Sequence, residues 1–97
     1  MSFAAVFLYE VDTDGHDAFQ SVYGSDGEWA RFFALGEGYL GTELLRSGDR
    51  YLLIDHWRSR GEYEAFIAAH ADEYARRNEA ARRLWRHEED VGRFDTA

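Results

Sequence analysis

The sequence predicts a single α+β domain built on an antiparallel sheet, and three observations carry that expectation. A chain of 97 residues is too short to divide into two independent cores. Its 45% hydrophobic and 16% aromatic content is enough to fill one core, and it excludes the charge-rich, aromatic-poor composition of a disordered chain. Short apolar runs of strand length then alternate with stretches of helical periodicity in the order β-α-β-β-α-β.

Phe3-Ala4-Ala5-Val6-Phe7-Leu8-Tyr9 is the first strand: it is short, rich in aromatics, and stopped by Glu10 and the polar cluster Asp12-Thr13-Asp14-Gly15. It lacks a basic leading segment and is too short to span a bilayer, so it reads as neither signal peptide nor membrane helix. His16 to Tyr23 has Phe19, Val22 and Tyr23 at helical spacing. Gly24-Ser25-Asp26-Gly27 breaks this helix before it resumes over Glu28 to Leu35, with Trp29, Phe32, Phe33 and Leu35 on one broad apolar face. Asp26 is the candidate N-cap of that second piece and Gly36 its stop. Gly38 to Arg46 and Arg50 to Trp57 flank Ser47-Gly48-Asp49 and form a hairpin. Ser59-Arg60-Gly61-Glu62 matches a capping box, which starts a helix near Arg60. Tyr63, Phe66, Ile67, His70 and Tyr74 then recur at steps of three and four, a stripe that should face the sheet. The pattern continues, with or without a break near His70, through Asn78, Ala81, Leu84 and Trp85. Glu88 to Phe94 supplies a last strand. The result is a ferredoxin-like split βαβ arrangement with helices on one face of the sheet, and residues 1–97 form one domain.

The second face of that sheet also needs a cover. In Arg50 to Trp57 one face shows Tyr51, Leu53, Asp55 and Trp57, and the other shows Leu52, Ile54 and His56. Two-sided hydrophobicity in an antiparallel sheet means that both faces are covered, and a second subunit is the natural cover for the face without helices. The expected state is a homodimer.

Nineteen acids against eleven bases give a net charge of −8, which repels a phosphate backbone and makes nucleic acid an unfitting partner. The acidity is concentrated in residues 1–49, with nine acids against two arginines, whereas residues 50–97 carry ten acids and nine arginines. All eleven bases are arginine, which excludes Schiff-base chemistry through lysine. With no cysteine there is no disulfide, no thiolate metal site and no cysteine nucleophile. No metal motif, phosphate loop or Ser-His-Asp spacing is present. The expected setting is cytoplasmic, with no membrane partner.

The turn and strand Gly38-Tyr39-Leu40-Gly41-Thr42-Glu43-Leu44-Leu45, the strand ending Ile54-Asp55-His56-Trp57 and the helix opening Ser59-Arg60-Gly61-Glu62-Tyr63-Glu64-Ala65-Phe66 resemble the antibiotic biosynthesis monooxygenase family. The resemblance spans nearly the whole chain. It implies a dimeric α+β barrel with a pocket between sheet and helices, and oxidation of an anthrone-like or polyphenolic ring to a quinone without metal or organic cofactor. In the quinone-forming members an asparagine, a tryptophan and a tyrosine approach the substrate. The tryptophan matches Trp57 and the tyrosine matches Tyr63, but the asparagine position, four before Trp57, is Leu53. The resemblance places Leu53, Phe66 and Tyr74 along the substrate pocket. Haem-degrading members offer another reading: a first-strand asparagine, the same tryptophan, and an iron-binding histidine on the next helix. Trp57 and approximately His70 match, while the first strand has no asparagine and the chain's single one is Asn78.

Each candidate has a structural reading beside the functional one. Trp57 could stack on a flat ring or donate its indole N–H, or serve as a core anchor. Tyr63 could bond substrate or a backbone carbonyl. His70 could take a phenolic proton or be a satisfied structural residue. Asp55 could be a base if burial raises its pKa, although an ion pair with an arginine is the expected arrangement. Arg76, Arg77, Arg82, Arg83 and Arg86 read as a solvated row, with Glu73–Arg77 and Glu79–Arg83 spaced i,i+4. The leading expectation is a cofactor-independent monooxygenase in which Trp57 and Tyr63 orient the ring and His70 or Asp55 assists deprotonation. The rival is a non-catalytic dimer that binds a small aromatic molecule.

Overall fold

The computed structural model describes residues 2–97. The elements run β1 (Phe3–Glu10), α1 (His16–Tyr23), α2 (Glu28–Phe33), β2 (Tyr39–Ser47), β3 (Arg50–Trp57), α3 (Arg60–Ala69), α4 (Ala71–Ala81), a short 3₁₀ turn (Arg82–Leu84) and β4 (His87–Asp95). The strands form one antiparallel sheet in the order β2-β3-β1-β4. This is the α+β, ferredoxin-like arrangement that the periodicities predict. Among the described residues no helix is long and apolar enough to cross a membrane.

The hairpin closes across Gly48 and Asp49, with Gly48 at φ 61°, a value glycine adopts without strain. Strand alternation puts Phe3, Ala5, Tyr9, Tyr51, Leu53, Asp55 and Trp57 on the inward face, all of them buried. Helices α1 and α2 answer with Phe19, Tyr23, Trp29, Phe32 and Phe33, and α3 with Phe66. The core is therefore largely aromatic, and its rings touch in an unbroken run. Tyr63 meets Trp57 at 5.7 Å, Trp57 meets Phe33 at 5.8 Å, and Phe33 stacks on Trp29 at 5.6 Å. Trp29 then meets Tyr23 at 6.3 Å, Tyr23 stacks on Phe19 at 4.5 Å, and Phe19 reaches Tyr51 at 4.7 Å.

Ser59 caps α3 as its spacing predicts, its hydroxyl accepting the Glu62 amide at 3.1 Å. The second half of the box differs: the Glu62 carboxylate accepts the Ser59 hydroxyl at 2.9 Å and also pairs with Arg58. His70 does break the long helix, with φ −118° and ψ 29° between α3 and α4. Asp26 is not the cap of α2. Gly27 occupies that position without a side-chain bond, and the Asp26 carbonyl instead accepts Arg31 at 2.7 Å. The helix ends at Phe33, so Leu35 leaves the apolar face and is 71% exposed. Glu79 pairs with Arg82 rather than Arg83, because the 3₁₀ turn after Ala81 ends the i,i+4 geometry.

One strand departs from two-sided hydrophobicity. A bulge between Val6 and Phe7 resets the β1–β4 register, and the β4 positions opposite the inward residues Ala5, Phe7 and Tyr9 are Arg93, Asp90 and Glu88. The outward face carries half-buried Leu52, Ile54 and His56, with Leu45 and Phe94 exposed.

Candidate functional site

Between sheet and helices lies a small cavity, partly open to solvent, with room for about 30 Å³, enough for a water molecule. Phe7, Tyr9, Leu53 and Asp55 form its floor, and Glu88 of β4 stands at its edge. Tyr23, Trp29 and Phe33 from α1 and α2, with Tyr74 and Asn78 from α4, form its roof. A flat ring can occupy this space only if the helical roof moves outward.

Asp55 is the one acid set into the buried inward face, at 5% exposure. Strand register explains its surroundings: Asp55 faces Thr42 on β2 and Ala5 on β1, and Ala5 in turn faces Arg93 on β4. The expected arginine ion pair is absent, because the nearest inward arginine is a full strand further away. Thr42 donates its hydroxyl to Asp55 Oδ1 at 2.6 Å and is itself bonded to the Tyr39 hydroxyl at 2.6 Å. The second carboxyl oxygen takes no hydrogen bond from the described residues. Burial pushes the Asp55 pKa up to about 6, outweighing the opposing effects of the Thr42 bond and the more distant His56 and Arg93.

Trp57 is wholly buried where β3 ends, ringed by Phe33, Tyr39, Tyr63 and Phe66 at 5.4 to 5.8 Å. Its indole nitrogen has no hydrogen-bond partner. Tyr63, one turn into α3, packs on Phe3 at 5.2 Å and under the Arg93 guanidinium at 5.7 Å. Burial raises its phenol pKa, with Arg93 opposing. Phe66 is buried against Trp57. His70 lies at the helix break, its ring against Phe66 at 4.3 Å and edge-on to Phe32 at 5.7 Å, and it does not line the cavity. Tyr74 does line it, meeting Trp29 at 5.3 Å, and burial raises its pKa to about 12.

The fold therefore brings together Leu53, Asp55 and Tyr74, while Trp57, Tyr63 and Phe66 form an adjoining aromatic cluster and His70 stands apart. Sequence reasoning missed five cavity residues with polar groups: Tyr9, Tyr23, Trp29, Asn78 and Glu88. Tyr9 donates to Glu88 at 2.6 Å. The signal for Asn78 was available, since it falls four residues after Tyr74 and so shares its helix face. Among the described residues no group of three or more His, Asp or Glu side chains could hold a metal ion.

No family model and no curated protein matches the chain. The strand order and the aromatic-lined space between sheet and helices define an α+β domain with the fold of the antibiotic biosynthesis monooxygenases. SnoaB, a cofactor-independent oxygenase from Streptomyces nogalater, is similar at 23% identity over 98% of this chain and 92% of that one, with a TM-score of 0.77 for a substituted form. Rv0793 from Mycobacterium tuberculosis is similar at 17% identity over 100% of this chain and 96% of that one, with a TM-score of 0.71. A candidate antibiotic biosynthesis monooxygenase from Nitrosomonas europaea follows at 18% identity over 99% and 98%, with a TM-score of 0.67. At these identities the likeness is one of fold.

Proposed function

We propose that this protein is a cofactor-independent monooxygenase that oxidises a small anthrone-like aromatic to a quinone. The observation that carries the reading is Asp55: a buried carboxyl at an aromatic-rich cavity, without a cation in contact, and with a pKa near 6. A base of this kind removes the acidic methylene proton of an anthrone. The carbanion then passes an electron to dioxygen, the two radicals combine into a peroxide anion, and the proton held by Asp55 returns to give the hydroperoxide. Loss of water from that peroxide leaves the quinone, so one oxygen atom enters the product and the other departs as water. The protein supplies position, a base and dryness. Trp57 packs against Phe33 of the roof and Tyr63 against Trp57, and Asp55 takes the role of base that His70 shares in the sequence-based expectation. The fold likeness to SnoaB, described as a cofactor-independent oxygenase, supports the same reading.

The functional unit we infer is a homodimer. Leu52, Ile54, Leu45 and Phe94 make the outward sheet face apolar, and a second copy would cover it.

A second reading, non-catalytic binding of a small aromatic molecule, is favoured by Leu53 at the asparagine position. Oxygen uptake by chelator-treated protein with anthrones decides between the two. Conversion to quinone, lost by at least about a hundredfold in Asp55→Asn, supports the oxygenase. Binding without oxygen consumption supports the rival.

A further inference from the structure

At the opposite end of β3 from Trp57, a chain of hydrogen bonds joins the start of α1 to the β2–β3 turn. His16, the first residue of α1, is buried and has both ring nitrogens engaged. Its Nδ1 lies 2.6 Å from the Tyr51 hydroxyl, and its Nε2 lies 2.8 Å from Asp49 Oδ1. The Gln20 carboxamide, one turn further along α1, donates to the same hydroxyl at 2.8 Å. These partners set the direction of the chain. The Tyr51 oxygen accepts from Gln20, and among the described residues the one acceptor for its own proton is His16 Nδ1, so the ring proton sits on Nε2 and points to Asp49. Bonds from His16 and from the Thr13 hydroxyl, the latter at 2.9 Å, hold the Asp49 carboxyl below the usual carboxylate range. The Asp49 side chain is 40% exposed, so one end of the chain reaches water while Tyr51 at the other is sealed at 1%.

A buried phenol gives up an electron readily only when its proton leaves with it, which requires a base within hydrogen-bond reach. Among the described tyrosines two have one: Tyr9 faces the Glu88 carboxylate and Tyr51 faces His16. Imidazole is the stronger base of the two, and an imidazolium at His16 forms an ion pair with Asp49. Tyr51 is therefore the easier phenol to oxidise. It also connects to the cavity, because Phe19 lies 4.7 Å from its ring, 5.4 Å from Tyr9 and 4.5 Å from Tyr23, and the last two line the cavity.

We propose that Tyr51, His16 and Asp49 form a redox-active tyrosine site that quenches radical oxidants formed in the cavity. Tyr51 gives one electron to an aryloxyl or peroxyl radical and its phenolic proton to His16 Nδ1. The oxidant becomes a phenolate or peroxide anion, and a neutral tyrosyl radical remains beside an imidazolium that Asp49 stabilises. The proposal rests on the oxygenase reading for the source of the radical, since one-electron reduction of dioxygen leaves species that can escape recombination. The site itself is tested without substrate.

Flash-generated tris(bipyridyl)ruthenium(III), with a cobalt(III) ammine as terminal electron acceptor, supplies the one-electron oxidant to the intact protein, and electron paramagnetic resonance of freeze-trapped samples identifies the radical. The expected result is a tyrosyl signal in the wild-type protein that falls at least about tenfold in Tyr51→Phe and in His16→Asn, and less than about twofold in Tyr9→Phe. Asparagine places an oxygen where His16 has Nδ1, so it still accepts from Tyr51 but is not a base, and its loss of signal reports proton acceptance rather than a missing hydrogen bond. The wild-type protein alone gives a further check: radical formation should slow by about twofold in deuterium oxide, because the proton moves with the electron. The proposal is overturned if the wild-type protein yields no tyrosyl radical or forms it equally fast in both waters. It is also overturned if the signal survives Tyr51→Phe or His16→Asn, or disappears in Tyr9→Phe. Failure of the oxygenase reading looks different: a Tyr51 radical with no oxygen uptake on anthrones keeps the tyrosine site and removes only the source of its oxidant.

Discussion

At the scale of single residues, the carboxyl of Asp55 links activity to stability. A carboxyl whose pKa is about 6 in the fold and 3.8 when fully hydrated binds its proton more tightly when folded. The folded state therefore holds more protons between those values, and stability falls as pH rises through that window and stays lower above it. The loss at neutral pH is on the order of 3 kcal/mol. Asp55→Asn keeps the Thr42 bond and removes the charge, so thermal melts at pH 8 should show the variant several degrees more stable, with the difference gone near pH 3.5. Catalysis needs the opposite form. The kcat/KM of the wild-type protein should rise with pH to a plateau through an apparent pKa near 6, and a profile flat from pH 5 to 8 would remove Asp55 as the base. Asp55 could be named from its place on the strand face shared with Trp57. Its partner could not, because Thr42 reaches it through the β2–β3 register, which one residue of slip would change. His70 was attractive for the same reason that it is misplaced: its spacing fits the stripe, but the stripe bends at His70 itself.

Among the elements, the join between β2 and α3 is fixed by glycines that the sequence marks only as turn residues. Gly36 lies so close to Phe66 that a Cβ there would stand 2.5 Å from the ring. Gly38 has φ +87°, and its Cβ would meet the Glu62 carboxyl at 2.6 Å. The Arg58 amide donates to the Gly38 carbonyl at 2.6 Å, which ties the start of β2 to the residue just after β3. Gly36→Ala should therefore destabilise by about 1–3 kcal/mol through overpacking against Phe66, measured by urea unfolding. Ser59→Ala should cost about 1 kcal/mol through loss of the α3 cap. The strands and the α3 cap were legible because each is announced by local chemistry, alternation or a hydroxyl before the helix. The α2 cap and the end of that helix were not, since Gly27 and Asp26 are both acceptable caps and only the path of the chain between α1 and α2 selects one.

For the whole molecule, the decisive asymmetry is between the two faces of one sheet. The inward face is sealed by aromatic side chains, whereas the outward face shows Leu45 and Phe94 at about half exposure. Sedimentation at micromolar concentration should give a dimer, and Ile54→Lys, which places a charge at the centre of that face, should give a folded monomer. A wild-type monomer at every concentration would remove the dimer. This two-faced character was readable from β3 alone, but β4 was not, because the bulge that sets Glu88, Asp90 and Arg93 opposite inward residues of β1 is marked in the sequence only by Gly92, and one strand glycine does not fix a register. The run of touching rings from Tyr63 to Tyr51 has an optical consequence. Neighbouring aromatic transitions couple when rings sit 4.5 to 6.3 Å apart, so the near-ultraviolet circular dichroism is a property of the assembled run rather than of any one chromophore. Excitation absorbed by Tyr63 or Tyr51 at the ends of the run can drain to Trp57 and Trp29 within it, and a ligand that parts the roof from the floor would register as a change of ellipticity before any chemistry takes place.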